Sequence, residues 1–270
     1  MSFPLRGGVG VVTGAASGIG AALAEKLAGR GCNLALADVN GAGLQAVGAR
    51  CRAQGVAVSE HVLDVADRDA VMAFPAAALA AHGRVNLLVN NAGVALGGTF
   101  EQVSEADFDW LMAINFQGVV RMTRAFLPVL RKEPAAQVVN LSSVFGIIAP
   151  AGQVAYSASK FAMRGFSEAL RHELEGSPIG VTVVHPGGVR TNIAASARGQ
   201  PMAPGEAAAM AKVWDKLLRL GPEVAGEAIA RAIERRAKRL LIGRDAKQAT
   251  LIQRLAPVGY WKLVGWRAKA

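Results

Sequence analysis

Short, almost unbroken runs of Val, Leu and Ile alternate with segments of helical period along most of this sequence, and that alternation constrains the fold more than any other feature. GVGVVTG (8–14) precedes AALAEKLAGRG (21–31), NLALADV (33–39) precedes GLQAVGARCRAQ (43–54), and AVSEHVLDV (57–65) precedes RDAVMAFPAAALAAHG (68–83). VNLLVNNAG (85–93), QVVNL (137–141) and GVTVVHPGG (180–188) continue the strands, with two long helices expected over about 105–131 and 154–175. Strands that read apolar without period-two alternation are covered on both faces, and a strand–helix repeat joins parallel neighbours. An α/β architecture follows: a doubly wound parallel sheet with helices on both faces, built as a single domain from 270 residues.

From Pro134 to Ser159 no charged residue occurs, which is the length of a membrane span. A span needs about 20 predominantly apolar residues, whereas this stretch carries Gln137, Asn140, Ser142, Ser143 and Gln153. It reads instead as a buried strand, a polar turn, an apolar loop and a helix starting near Val154. With 52% hydrophobic and 19% charged residues the chain has the composition of a folded protein. Its amino terminus, MSFPLRGGVGVV, lacks the pattern of a secretory signal, so a cytoplasmic location is expected. Cys32 and Cys51 lack redox or ligand spacing, and His61, His82, His172 and His185 form no ligand cluster, so no metal is expected. Residues 200–270 hold 14 Lys and Arg against 6 Asp and Glu, while residues 1–199 hold 16 against 14. The basic end has no series of stacking aromatics and no groove-reading motif, so no nucleic-acid partner is expected.

VGVVTGAASGIG (9–20) places a glycine-rich turn between a strand and a helix. Gly14 lets the backbone turn and approach a phosphate, Gly18 and Gly20 allow close packing, and the helix amino terminus offers free N–H groups to a pyrophosphate. The spacing is GxxxGxG rather than GxGxxG. Asp38, at the end of the next strand, stands eighteen residues after Gly20, where a carboxylate reaches the adenosine ribose hydroxyls. Its charge repels a 2′-phosphate, and neither Ser17 nor Val39 supplies a compensating cation, so NAD is favoured over NADP.

TGAASGIG (13–20), DV (64–65), NNAG (90–93), Asn115, SS (142–143), YSASK (156–160) and PGGVRT (186–191) occur in that order. The ordered set resembles the short-chain dehydrogenase/reductase family over roughly residues 7–195. The resemblance implies a Rossmann-type domain, here 1–221, that both binds NAD and carries catalysis, with 222–270 as a basic C-terminal extension of the same domain: a helix, a last strand near LLIG and an aromatic, basic tail. Tyr156 and Lys160 are i and i+4, so a helix puts them on one face about 6 Å apart along its axis. A tyrosine ionises near pKa 10, but a neighbouring ammonium and a cationic nicotinamide favour the phenolate and make Tyr156 a usable acid/base. The resemblance further implies that Lys160 holds the nicotinamide ribose and that Ser143 donates to the substrate oxygen. Ser143, not Ser142, stands at the family's usual thirteen residues before Tyr156. Asn115 would hold a helix distortion and a water leading from Lys160 to solvent. The cofactor contacts implied are Gly14, Ser17, Gly18, Ile19 and Gly20; Asp38; Asp64 and Val65 under the adenine; Asn91, Ala92 and Gly93 along the ribose; and Pro186, Gly187, Val189 and Thr191 around the carboxamide.

Phe145, Ile147, Ile148, Met202, Met210 and Trp214 are candidates to line the substrate and point to an apolar alcohol or ketone. Arg190 and Arg198 leave room for an anionic head group. Residues 192–216 fall where the family carries a substrate lid, and the two long helices are the pair through which family members form homo-dimers or homo-tetramers. The tail mixes Tyr260, Trp261 and Trp266 with Lys262, Arg267 and Lys269, a pattern that suits peripheral contact with a membrane surface or packing on a sister subunit. The function expected is an NAD-dependent oxidoreductase interconverting a mainly hydrophobic secondary alcohol and its ketone. A non-catalytic NAD-binding scaffold or sensor on the same fold is the alternative.

Overall fold

The apolar runs form strands at Val9–Thr13 (β1), Asn33–Asp38 (β2), Val58–Val62 (β3), Leu87–Asn90 (β4), Ala136–Leu141 (β5), Ile179–Pro186 (β6) and Arg239–Ile242 (β7). They hydrogen-bond in one sheet of order β3-β2-β1-β4-β5-β6-β7, with every pair parallel. The computed structural model describes residues 2–191, 193, 197–198 and 218–267, the last four by backbone alone. Helices lie at Gly18–Ala28 (α1), Gly41–Arg52 (α2), Arg68–His82 (α3), Glu105–Met112 (α4), Val119–Leu130 (α5), Val154–Glu173 (α6), Pro222–Glu234 (α7), Arg244–Leu255 (α8) and Tyr260–Arg267 (α9).

Adjacent strand residues face opposite sides of a sheet, and the core divides accordingly. Val12, Leu36, Val89 and Val139 pack with Leu23 and Leu27 of α1, Leu44 of α2 and Ile229 of α7. Val11, Ala35, Leu88 and Val138 pack with Phe74 of α3, Phe126 of α5 and Leu170 of α6. β3 departs from the expectation of full coverage, because it is the sheet edge: its residues are half-buried and Val62 is 74% exposed. Gly226 lets α7 lie close on α1, since a Cβ there would stand 2.8 Å from the backbone of Ala22 and Leu23. The uncharged run supplies β5, buried throughout. Its side-chain amides donate inside the protein, Gln137 to Thr182 Oγ1 of β6 at 2.7 Å and Asn140 to Ser167 Oγ of α6 at 2.9 Å. Among the described residues no helix is long and apolar enough to cross a membrane.

The expected long helix over 105–131 is interrupted. α4 passes through a π-helical turn, Ala113–Gly118, before continuing as α5. Such a turn inserts an extra residue and recurs at functional sites; here Asn115 lies inside it. The chain reverses direction across the sheet between β1 and β4. In open parallel sheets, ligands bind at the carboxyl ends of strands beside such a switch point.

Candidate active site

Most of the sequence-derived candidates follow strand carboxyl ends at this one edge of the sheet. Gly14 has φ +63°, and a Cβ there would stand 2.8 Å from Ala92 Cα and from Asn91 Nδ2, so only glycine fits against the turn after β4. Asn91 Nδ2 donates to the Thr13 and Gly14 carbonyls, both at 2.9 Å, and Thr13 Oγ1 accepts from Asn91 N and Ala92 N at 3.0 and 3.1 Å. Asn91 thus ties the two loops of the switch point together. Ser17 precedes α1 without a side-chain cap, and no acid lies in the first turn. The helix keeps its amino-terminal N–H groups and positive dipole end available to an anion. Ile19 is half-buried against the α1 core. Gly20 packs beneath Gly14 and Asn91, and Gly18 faces the Thr191 methyl group, 3.2 Å from where its Cβ would be.

Asp38 is half-buried at the end of β2; it accepts from Ala16 N and Asn40 N, each at 3.0 Å, one per carboxylate oxygen. Each oxygen retains a lone pair for a hydroxyl group. The cap of the next helix is Asn40, which accepts from Gly43 N. Asp64 is exposed and folds back on Ala66 N at 2.8 Å. Val65 is buried under the π-helical turn, 2.9 Å from the position of a Gly118 Cβ. A glycine-lined turn, an uncapped helix end and a carboxylate with spare lone pairs are a donor and acceptor set that fits an adenine dinucleotide.

Asn115, Ser143, Tyr156 and Lys160 come together at the ends of β4 and β5. Asn115 is fully buried; its Oδ1 accepts from Val94 N at 2.8 Å and its Nδ2 donates to Val94 O at 3.0 Å and Ser159 Oγ at 3.2 Å. Ser159 Oγ in turn donates to Tyr156 O at 2.7 Å. A Cβ on Gly93 would stand 3.2 Å from Asn115 Oδ1 and 3.5 Å from Lys160 Nζ, so glycine keeps that approach open. Ser142 Oγ is engaged with Lys160 O at 2.9 Å, whereas Ser143 Oγ accepts from Phe145 N at 3.1 Å and lies beside the Tyr156 phenol, whose pKa it draws downward. Lys160 Nζ donates to Leu141 O at 3.0 Å and lies 5.6 Å from the Tyr156 ring centre.

Burial acts on these two groups in opposite directions. Desolvation pushes the Tyr156 phenol up to about 12, opposed by Ser143, and pushes Lys160 down to about 8. Without a cationic nicotinamide beside it, the phenol is held neutral in the protein alone. Lys160 Nζ is turned to the Leu141 carbonyl beside the ring, and desolvation is the larger effect.

The model of the short chain dehydrogenases matches residues 9–201, from β1 past the loop that follows β6. The chain belongs to the short-chain dehydrogenase/reductase family. It is 41% identical to a Mycobacterium tuberculosis protein named as an oxidoreductase, SadH, over 96% of this chain and 94% of that one. A short-chain dehydrogenase/reductase of Burkholderia phymatum solved with NAD superposes with a TM-score of 0.85 at 32% identity, covering 93% of this chain and 94% of that one. A metagenomic short-chain oxidoreductase solved with NADP gives a TM-score of 0.72 at 31% identity, covering 89% and 98%.

In this short-chain dehydrogenase the loop after β6 is fixed from the C-terminal extension. Pro186 ends β6 and is buried; Gly187 N donates to Ile242 O at 2.9 Å, Val189 bridges to Leu220, and Thr191 reaches Gly18. Gly188 N donates to Asp245 Oδ2 at 2.6 Å. Asp245, in the first turn of α8, went unnoticed in the sequence; the signal was an acid just after the glycine that ends the last strand. Arg198 stacks over the Trp110 ring at 3.8 Å and pairs with Asp107 at 3.3 Å, so its charge is already engaged. Met202, Met210 and Trp214, with most of the 192–216 segment, lie outside the described residues.

His185, the other residue the motifs did not single out, is fully buried before this loop. Its Nδ1 donates to Ser143 O at 2.9 Å, and its Nε2 has no hydrogen-bond partner among the described residues. Burial pushes its pKa down to about 4, against the Ser143 hydrogen bond, with Arg239 and Arg164 adding to the fall. The folded state therefore holds His185 neutral, while the unfolded chain protonates it below about 6.5. Its contribution to stability is complete above pH 6.5 and is lost as pH falls towards 4, by about 3 kcal/mol in all. Denaturant unfolding across that interval should show the decline, and His185→Asn, which keeps a donor without the titration, should flatten it.

Proposed function

We propose that this oxidoreductase uses NAD to interconvert a mainly hydrophobic secondary alcohol and its ketone. The observation that carries the reading is the convergence of Ser143 and Tyr156, with Lys160 buried one helical turn on, at the switch point of the parallel sheet. A nicotinamide held there would supply the hydride acceptor for oxidation as NAD and the hydride donor for reduction as NADH. Ser143 holds the substrate oxygen, and Tyr156 takes the hydroxyl proton in oxidation or gives it to the ketone oxygen in reduction. With its pKa raised to about 12, the phenol is by itself a proton donor, the form that reduction uses. Lys160, protonated below about 8, is the cation beside it that stabilises the phenolate needed for oxidation and holds the nicotinamide ribose. Asn115 keeps the π-helical turn, the loop after β4 and α6 in register, and leads a water from Lys160 to solvent.

The remaining candidates take these places: Gly14, Ser17, Gly18, Ile19 and Gly20 at the pyrophosphate, Asp64 and Val65 at the adenine, and Asn91, Ala92 and Gly93 along the ribose. Pro186, Gly187, Val189 and Thr191 surround the carboxamide, with Asp245 holding that loop in place. Asp38 supports NAD over NADP, since its half-buried carboxylate would face a 2′-phosphate with no adjacent cation at Ser17 or Val39. Apolar surroundings support the substrate class: Tyr156 packs with Val94, Leu96, Phe108 and Trp110, and Phe145 meets its ring edge-on at 6.1 Å. The reading places the cofactor and catalytic groups in residues 1–221, with 222–270 as their extension, in a cytoplasmic homo-dimer or homo-tetramer.

Tyr156→Phe should retain NADH binding, followed by fluorescence, while turnover falls by at least about a hundredfold; unchanged turnover would remove the mechanism. Asp38→Ala should narrow the ratio of kcat/KM with NAD to that with NADP, and a native preference for NADP would contradict the reading. Asp245→Ala should raise the KM for NAD by up to about tenfold, because the loop it holds is freed, and titration of NADH fluorescence with the variant checks this.

A further inference from the structure

The surface formed by α8 and α9 has no part in this chemistry, yet it is fixed to the domain. α8 turns Ala246 and Ala249 inward. Ala149 N donates to Tyr260 OH at 3.0 Å, and Tyr260 packs with Ile147, Ile148 and Ala249. These two helices also expose large apolar groups: Leu251 is 59% exposed, Leu255 77%, Val258 93% and Leu263 54%. On α8, Lys247, Leu251 and Leu255 succeed one another at i, i+4 and i+8 and share one face, with Arg254 beside them. Val258 projects from the turn that joins the two helices.

The charge at this surface has one sign. Residues 244–263 contain Arg244, Lys247, Arg254 and Lys262, all exposed, and one acid, Asp245, which is engaged by Gly188 N. A second copy docking face to face would bring the same cations against themselves with no carboxylate to pair them. An anionic bilayer satisfies both features: the apolar side chains enter the boundary between headgroups and acyl chains, and the cations meet lipid phosphates. We propose that the α8–α9 surface docks this protein on anionic lipid bilayers.

Co-sedimentation of the full chain with vesicles of phosphatidylcholine alone, and of phosphatidylcholine mixed with phosphatidylglycerol, tests this. Binding is expected to the mixed vesicles only and to weaken as salt is added. Leu251→Glu with Leu255→Glu, and separately Lys247→Gln with Arg254→Gln, should each lower the partition roughly tenfold or more. These side chains are exposed, and circular dichroism melting checks that both variants fold. Failure of the native chain to bind mixed vesicles, or equal binding to both kinds, overturns the proposal. So does a fall in solution mass for the Leu251→Glu, Leu255→Glu variant while the native chain ignores vesicles, which would assign the surface to a sister subunit. The vesicle readout does not involve turnover, so it stands or falls separately from the alcohol–ketone reaction.

Discussion

A single buried amide holds this active site in shape. Asn115 spends its oxygen and both faces of its NH₂ group on Val94 and Ser159, and Ser159 carries the link to the Tyr156 carbonyl. Three segments distant in sequence are thereby joined: the π-helical turn, the loop after β4, and α6. A polar group with no access to water must find protein partners or cost about 1–3 kcal/mol, so the amide enforces one arrangement of those segments. The π-helical turn follows from this, since it sets the side chain inward where a regular α-helix would rotate it.

Around that joint the same exclusion of water tunes the chemistry. The charge-free stretch that supplies β5 and the start of α6 walls Tyr156 and Lys160, and both move toward their neutral forms, to about 12 and about 8. In so dry a place each added charge counts heavily. Stability and reactivity here share one cause, burial, with the polar network of Asn140, Ser142, Ser159 and Ser167 satisfying the groups that water would otherwise reach.

The edge of the sheet where the strands end is where the extension matters most. β7 and α8 are reached only after the matched family region, yet Asp245 closes on Gly188 in the loop beside Gly18 and Thr191. Gly187 makes that approach feasible, because a Cβ there would occupy the space of the Asp245 carboxylate. The C-terminal residues are thus continuous with the cleft on one side and present an apolar, basic face on the other.

Much of this was legible in the linear chain because it depends on local rules. Apolar runs without alternation mark strands covered on both faces, a glycine-rich turn marks a place where backbone meets phosphate, and a spacing of four puts Tyr156 and Lys160 on one helical face. Those rules fail where partners come from afar. Strand order made β3 an edge and exposed Val62, and the helix distortion expected at Asn115 by resemblance took the form of a π-helical turn, which the periodicity alone read as straight helix. Asp245 and His185 belong to the same group, ordinary residues in sequence that acquire a task only from Gly188 and Ser143. The sequence by itself determined the elements and the kind of sheet they form, and singled out the candidate side chains of the site, because those follow from period, spacing and ordered motifs along one chain. Only the tertiary structure decided their electrostatics and supports, because desolvation and hydrogen bonding depend on which distant groups the fold brings near.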